Sequence, residues 1–594
     1  MKKYTVYQVF TRLFGNQTTS LTPWGTIEQN GVGKFSDFTD LALSEIAKLG
    51  ITHIWYTGVP HHAMVADYQQ YGIENDHPAV VKGRAGSPYA VKDYYSVDPD
   101  LADDPAQRNI EFDQLIARTH RAGMKVIIDI VPNHVARCYR GLNNPAGVHD
   151  FGSDDDNSVE YARDNNFYYL PEEPFQLPDF PDDMLPLGGE LHPAMQKPYQ
   201  EVPAKWTGNG ARKAKPDLDD WYETVKVNYG VRPDGSKDFA QLPDEFRHHS
   251  HQDHFEFWQL QSVPDSWIKF RDIALYWLNK GVDGFRYDMA EMVPVEFWSY
   301  LNSSIKQVNP NAFLLAEVYQ PQLYRDYIQL GKMDYLYDKV DLYDSLKTIV
   351  QGHGSTSAIG RIQYQLRDIE HHMLHFLDNH DEQRFASPEF AGDADKARPA
   401  MLVSTCLSSS PTMIYFGQEV GEPAAEQAGF GQPSRTSIFD YVGVPHHQRW
   451  MNQGKFDGGQ LTEQEKQLRQ FYQRLLNLSL TSPALVGDYH DLYGDNFANF
   501  ADMPHQLFAF ARSCAEQKLI LVANFSPDRD THIDLMIPQG LIQYWGIADG
   551  DYLLTDKLTQ DCYTLQITDQ IGTIALDLAP LASLLLELEQ ERIS

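Results

Sequence analysis

The 594-residue chain is short of three things, and each shortage removes a class of function. Basic residues are outnumbered: 49 Lys and Arg face 82 Asp and Glu, a formal charge of −33. That field repels phosphate backbones and anionic headgroups, so neither nucleic acid nor a membrane surface is an expected partner. Cysteines are few, Cys138, Cys406, Cys514 and Cys562, with no Cys-x-x-Cys spacing. This excludes a disulfide scaffold and a cysteine metal site and fits a reducing, cytoplasmic compartment. Long apolar runs are missing too, since none approaches the roughly 18 residues a membrane helix needs. The start, Met1-Lys2-Lys3-Tyr4-Thr5-Val6-Tyr7-Gln8-Val9-Phe10, lacks the apolar core of a secretory signal and reads as a first β-strand. There is no internal repeat, low-complexity tract or long flexible linker.

What is present is a rhythm. Short β-branched or aromatic runs alternate with amphipathic stretches over most of the first 480 residues, the pattern of repeated βα units around a parallel sheet. The runs are Tyr4–Phe10, Ile51–Tyr56, Val126–Val131, Gly284–Tyr287, Phe313–Glu317, Tyr335–Tyr337, Leu374–Asp378 and Met413–Phe416. Helices are expected over Asp37–Leu49, Ala106–Ala122 and Pro264–Asn279, each with a glycine at or near its end. Eight such units predict a (β/α)₈ barrel of the α/β class, with its active site at the carboxyl ends of the strands. The rhythm breaks after the third strand, so the barrel is expected over 1–134 and 262–480 and an insertion over 135–261. Within the insertion, Asp150 to Glu190 carries twelve carboxylates against one arginine, Arg163, and reads as a solvated acidic loop. Beyond about Thr481, runs such as Gln506–Ala511, Leu519–Asn524, His532–Ile537 and Ser583–Leu588 predict an all-β module over 481–594.

Chemistry-bearing residues gather at the ends of four of these strands. Gly284-Phe285-Arg286-Tyr287-Asp288 delivers an arginine-flanked carboxylate, and Phe313-Leu314-Leu315-Ala316-Glu317 delivers a second. Asp129-Ile130-Val131-Pro132-Asn133-His134 and Asp378-Asn379-His380-Asp381 end two further runs. Arg286 and Asp288 alternate onto one face of their strand, where the guanidinium is expected to keep Asp288 ionised. Glycosidic bond cleavage needs one carboxylic acid to protonate the leaving oxygen and one carboxylate at the anomeric carbon, and Asp288 and Glu317 suit those roles. The imidazoles of His134 and His380 can donate to sugar hydroxyls, and Tyr89 offers a ring face to the pyranose C–H groups.

With these motifs the chain resembles the α-amylase family of glycoside hydrolases from residue 1 to its carboxyl terminus, closest in pattern to cytoplasmic bacterial enzymes acting on maltodextrins. Asp129-x-x-x-Asn133-His134 resembles the family's first motif, Gly284–Asp288 its second, Glu317 its third and Asn379-His380-Asp381 its fourth. Lys215-Pro216-Asp217-Leu218-Asp219 resembles a motif of the inserted domain B, and Ser87–Tyr95 the segment whose tyrosine stacks on sugar. The tail is then a β-sandwich domain C. The resemblance implies a retaining hydrolase of mainly α-1,4 bonds in maltodextrins, starch or glycogen fragments, with Asp288 as nucleophile and Glu317 as general acid/base. Asp381 would grip hydroxyls and favour the distorted ring, while Tyr89, His134, Arg286 and His380 complete the subsite. It also implies a structural calcium between barrel and domain B, held by Asn133, Asp217 and the backbone carbonyl of Met292, oxygen donors that suit a hard cation. No organic cofactor is expected.

The chain departs from the family pattern where Glu291 and Met292 replace the lysine and histidine that reach toward the leaving-group side in many α-amylases. Met289 is neither the alanine usual in α-1,4 enzymes nor the valine of many α-1,6 glucosidases. Arg247-His248-His249-Ser250-His251-Gln252-Asp253-His254 has four histidines but no second cluster at zinc spacing, and reads as a polar loop returning from the insertion. Trp206 and Trp221 are either sugar platforms or core aromatics. The rivals to hydrolysis are a glucan transglycosylase or trehalose-forming isomerase on the same scaffold, and a non-catalytic glucan-binding protein.

Overall fold

The computed structural model describes residues 2–424, 427–500 and 503–592. Eight parallel strands, β1 (Thr5–Phe10), β2 (His53–Thr57), β3 (Lys125–Ile130), β4 (Gly284–Tyr287), β5 (Phe313–Ala316), β6 (Tyr335–Tyr337), β7 (Met373–Phe376) and β8 (Thr412–Tyr415), close into a barrel in which β8 pairs with β1. All eight coincide with the expected runs. Nearly every strand residue is buried, which is why runs such as Val126-Ile127-Ile128 and Phe313-Leu314-Leu315 are continuously apolar rather than alternating. Gly284 begins β4 because a Cβ there would lie 2.2 Å from the carbonyl oxygen of Phe313 on β5. The register sets Arg286 opposite Asp129 on β3 and Leu315 on β5, so arginine and carboxylate point into the barrel at one level.

The expected helices are present over Asp40–Lys48, Arg108–Arg121 and Asp265–Asn279, the first started by Thr39, whose side chain accepts from the Ala42 amide. Between β3 and β4 the chain is mostly irregular. Its only regular pairings among the described residues are short: His134–Ala136 with Thr224–Lys226, and Tyr169–Leu170 with Ala204–Lys205. The acidic stretch is largely solvated, although Asp155 turns inward to accept from the amides of Asn166 and Phe167 and from the Tyr169 hydroxyl.

The histidine run differs from its expected form. Ser250 caps a helix over His251–Gln259 with a reciprocal capping box to Asp253. That helix packs on the barrel helix Val295–Val308, where Ser299 Oγ meets both His254 Nδ1 at 2.7 Å and Trp258 Nε1 at 2.7 Å. His254 is therefore a buried packing residue. The polar spacing of the run hid the apolar partners Phe257 and Trp258 that make it a helix.

From Asp488 to Arg592 eight strands form the antiparallel all-β module. Arg512 of its second strand docks it to the barrel by donating to the carbonyl of Leu407 at 2.7 Å.

Candidate active site

The carboxyl ends of β3, β4, β5 and β7 converge on the buried guanidinium of Arg286. Its Nη1 lies 2.8 Å from Asp288 Oδ1 and 3.6 Å from Asp129 Oδ1, and its Nη2 lies 3.1 Å from Glu317 Oε2 and 4.0 Å from Asp381 Oδ2. The rings of Trp55, Tyr89 and Tyr337 lie within 5.2 to 5.8 Å of its central carbon. One cation thus serves four carboxylates, and it holds Asp288 and Glu317 side by side on the two prongs of its fork.

Backbone geometry completes the pair. Met289 takes a left-handed conformation, φ 45°, strained for a non-glycine residue. Its amide donates to Glu317 Oε2 at 2.8 Å. The other oxygen, Oε1, accepts from the Tyr319 hydroxyl at 2.6 Å. Tyr319 is held in turn by Glu291, whose carboxylate accepts from the amides of Tyr319 and Gln320 at 2.9 and 3.1 Å. Glu291, noticed in the sequence only for what it replaces, is thus the brace of the loop beside Glu317.

The electrostatics differ from the expectation for Asp288. Burial, reinforced by the charge of Glu317, pushes its carboxyl well above the usual range, and Arg286 only partly opposes this. A single guanidinium shared among four carboxylates offsets only part of the cost of burying charge at Asp288. Asp381 behaves otherwise. Burial opposes its charge, but His380, 3.0 Å away, outweighs that and holds the carboxyl down to about 2. His380 is positioned by Gln8, 2.8 Å from Nδ1, and by the Tyr89 hydroxyl. Burial, with Lys226 and Lys82 adding to it, lowers His134 to about 3, so it is a neutral imidazole at neutral pH.

These groups open into a cleft of about 410 Å³. Of the expected residues, Asp288, Glu317, Asp381, Tyr89 and His134 line it, whereas Arg286 and His380 lie buried behind them. Sequence reading missed Tyr319, Glu382, Arg435 and the Lys82–Glu223 ion pair (2.9 Å) at its wall. Tyr319 and Glu382 had a signal, standing two residues beyond Glu317 and one beyond Asp381; Arg435, Lys82 and Glu223 come from segments with none. The two tryptophans separate: Trp221 lines the cleft, its ring 5.3 Å from His134. Trp206 is buried in the insertion, stacked on Tyr168 at 4.2 Å, and is a core aromatic.

The expected calcium ligands do not assemble. Asn133 Oδ1 accepts from Lys226 Nζ, and the Met292 carbonyl accepts from the same amine at 3.2 Å. Asp217 is three-quarters exposed and ion-paired with Lys213. Among the described residues no group of three or more His, Cys, Asp or Glu could hold a metal ion. A calcium ion wants six to eight oxygens, and the donor set here does not fit one.

The family model described as "Alpha amylase, catalytic domain" matches residues 8–168 and 244–473, skipping part of the insertion. Neopullulanase 2 of Thermoactinomyces vulgaris is 21% identical over 559 residues, covering 92% of this chain and 73% of that protein. A cyclomaltodextrinase of Bacillus sp is 21% identical over 442 residues, 72% of this chain and 61% of that one. The crystal structure of an α-amylase from H. orenii superposes with a TM-score of 0.59 at 20% identity, covering 99% of this chain and all of that chain. The chain belongs to the α-amylase family.

Proposed function

We propose that this protein hydrolyses α-glucosidic, mainly α-1,4, bonds in maltodextrins and related α-glucan fragments, with retention of configuration at the anomeric carbon. The observation that carries the reading is the pairing of Asp288 and Glu317 on one guanidinium at the floor of the cleft. Two carboxyls on the two prongs of one guanidinium suit a retaining pair, whose carboxyls stand about 5 Å apart, better than an inverting pair, whose carboxyls stand about 6.5–9.5 Å apart.

Arg286 engages Asp288 Oδ1 and leaves Oδ2 to attack the anomeric carbon, forming a glycosyl ester as the glycosidic C–O bond breaks. Glu317 gives its proton to the departing oxygen. Its Oε2 is taken by the Met289 amide and Arg286, so Oε1, beside the Tyr319 hydroxyl, is the oxygen that carries the proton. The resulting carboxylate then takes a proton from water, whose oxygen displaces Asp288 and restores both groups. Double displacement requires Glu317 as the acid and Asp288 as the free carboxylate when substrate is bound. Asp381, ionised across the neutral pH range, is placed to accept from sugar hydroxyls, and Tyr89 and Trp221 supply ring faces. The free thiols of all four cysteines support a cytoplasmic location.

Stereochemistry tests the mechanism directly. Freshly released reducing ends are expected to be α-anomers, visible by proton NMR in the first minutes before mutarotation, and initial β product would assign the chemistry to a different pair. Chain-length preference tests the substrate. Glu291 is spent on backbone amides and Met292 is absent from the cleft wall, so neither grips the leaving-group side. Each missing charge-assisted hydrogen bond is worth about 1.5–3 kcal/mol. Maltopentaose is therefore expected to be cleaved with a kcat/KM at least equal to that of soluble starch, and a large preference for starch would place the missing grip elsewhere in the cleft.

A further inference from the structure

We infer that Lys226 stands where a structural cation would join the barrel to the inserted segment, so that this chain holds that junction without calcium. The two oxygens that the family resemblance assigns to the ion, Asn133 Oδ1 and the Met292 carbonyl, are both acceptors of the Lys226 amine. The Asn133 side chain has one oxygen, and its orientation toward Lys226 is fixed by its amide nitrogen, which donates to Gly208 O at 2.9 Å and to His134 Nδ1 at 3.0 Å. The third expected ligand, Asp217, faces solvent and Lys213 instead.

The lysine is delivered by the fold. It ends the strand Thr224–Lys226, which pairs antiparallel with His134–Ala136 so that Lys226 lies directly opposite His134, and the next amide, Val227, donates to the Asn133 carbonyl at 3.0 Å. Val225 and Val227 on either side are buried and anchor the segment, and the ammonium stem lies along a pocket wall with Tyr229 and Val293. Among the described residues no carboxylate forms an ion pair with Lys226. Burial lowers the amine to about 7, but an amine donates to two carbonyl-type oxygens in either protonation state, and two acceptors satisfy it where six would be needed for calcium. A chain of contacts then runs from Lys226 through Asn133 to His134 at the cleft wall, which makes Lys226 a positioning residue for the subsite.

Thermal unfolding and kinetics of the full-length enzyme test this. In excess EDTA and in millimolar calcium chloride the wild-type midpoint and kcat/KM are expected to coincide. Loss of several degrees in EDTA, restored by calcium, would overturn the inference whatever the variants do. Lys226→Met is expected to lower the midpoint by several degrees and to raise KM more than it lowers kcat, because His134 loses its support. A Lys226→Met enzyme with wild-type midpoint and KM would also overturn it. If that variant does not fold, Lys226→Arg, which keeps donors on a long stem, is expected to retain more of the wild-type midpoint, and the chelator comparison on the wild type remains decisive. The outcome is independent of which glucan the enzyme cleaves.

Discussion

Asp288→Asn is expected to fold as the wild type does and to lose about 10³-fold or more in turnover, as is typical when one member of a catalytic unit is removed. The amide has nearly the volume of the carboxylate, and its oxygen can still accept from Arg286 Nη1, now 2.8 Å from Asp288 Oδ1. It cannot form a glycosyl ester. Stability is expected to stay level or rise slightly, because burial and Glu317 both disfavour charge at this position and the substitution removes that charge while Arg286 keeps Glu317 and Asp129. Reducing-sugar release, with circular dichroism and a melting curve alongside, checks both halves. Activity within tenfold of the wild type would remove Asp288 from the nucleophile's role. A dead enzyme with an unfolded spectrum would leave Glu317→Gln, with its own pairing to Met289 and Tyr319, to carry the same test.

The barrel was legible because each of its strands is a short β-branched or aromatic run with nothing competing for it. Val126–Val131 and Phe313–Glu317 have no glycine or proline inside them, and the helix before the first, Arg108–Arg121, is followed by Gly123. The floor of the candidate site was legible for a related reason: Asp129, Arg286, Asp288 and Glu317 lie on or at the ends of regular strands, where alternation decides which side chains face inward. What alternation cannot give is a balance of charges. Arg286 beside Asp288 predicts an ionised carboxylate when the two are considered alone, and the opposite direction once burial and the charges of Glu317 and Asp381 are added.

The misreadings have one physical origin, partners supplied from far along the chain. Lys226 is separated from Asn133 by 93 residues and from Met292 by 66, and nothing in Val225-Lys226-Val227 announces that the lysine is buried. Glu291 was read by what it is not, while its function depends on two amides of a loop after β5. The histidine run was read by its polar residues, whereas Ser299 on another helix decides its fate. Long-range hydrogen bonds to irregular backbone leave no periodicity in the sequence, and the insertion is built almost entirely of them.

Arg286→Met is expected to be the most damaging single change at the site, for stability as much as for activity. The methionine fills the space among Trp55, Tyr89 and Tyr337 but leaves Asp129, Asp288 and Glu317 buried without a counter-charge. Removing one partner of a buried ion pair typically costs about 3–5 kcal/mol, because the orphaned charge keeps its desolvation penalty. The pH dependence follows from the direction of the shift. Asp288 is already raised in the folded enzyme, and without the guanidinium it rises further, so the folded variant holds protons that the unfolded chain releases. Stability arising from such a group is fully present below the unfolded carboxyl range and is lost as pH climbs through the folded value. The gap between variant and wild type should accordingly be widest at neutral and alkaline pH and narrow as the solution is acidified. Arg286→Lys restores one charge but not the fork that spans two carboxylates, so it should recover part of the melting midpoint and little of the turnover. Melting midpoints of the three proteins from pH 5 to 9 make the comparison. A methionine variant as stable as the wild type, with a parallel pH profile, would mean that Arg286 is not the charge on which these carboxylates depend.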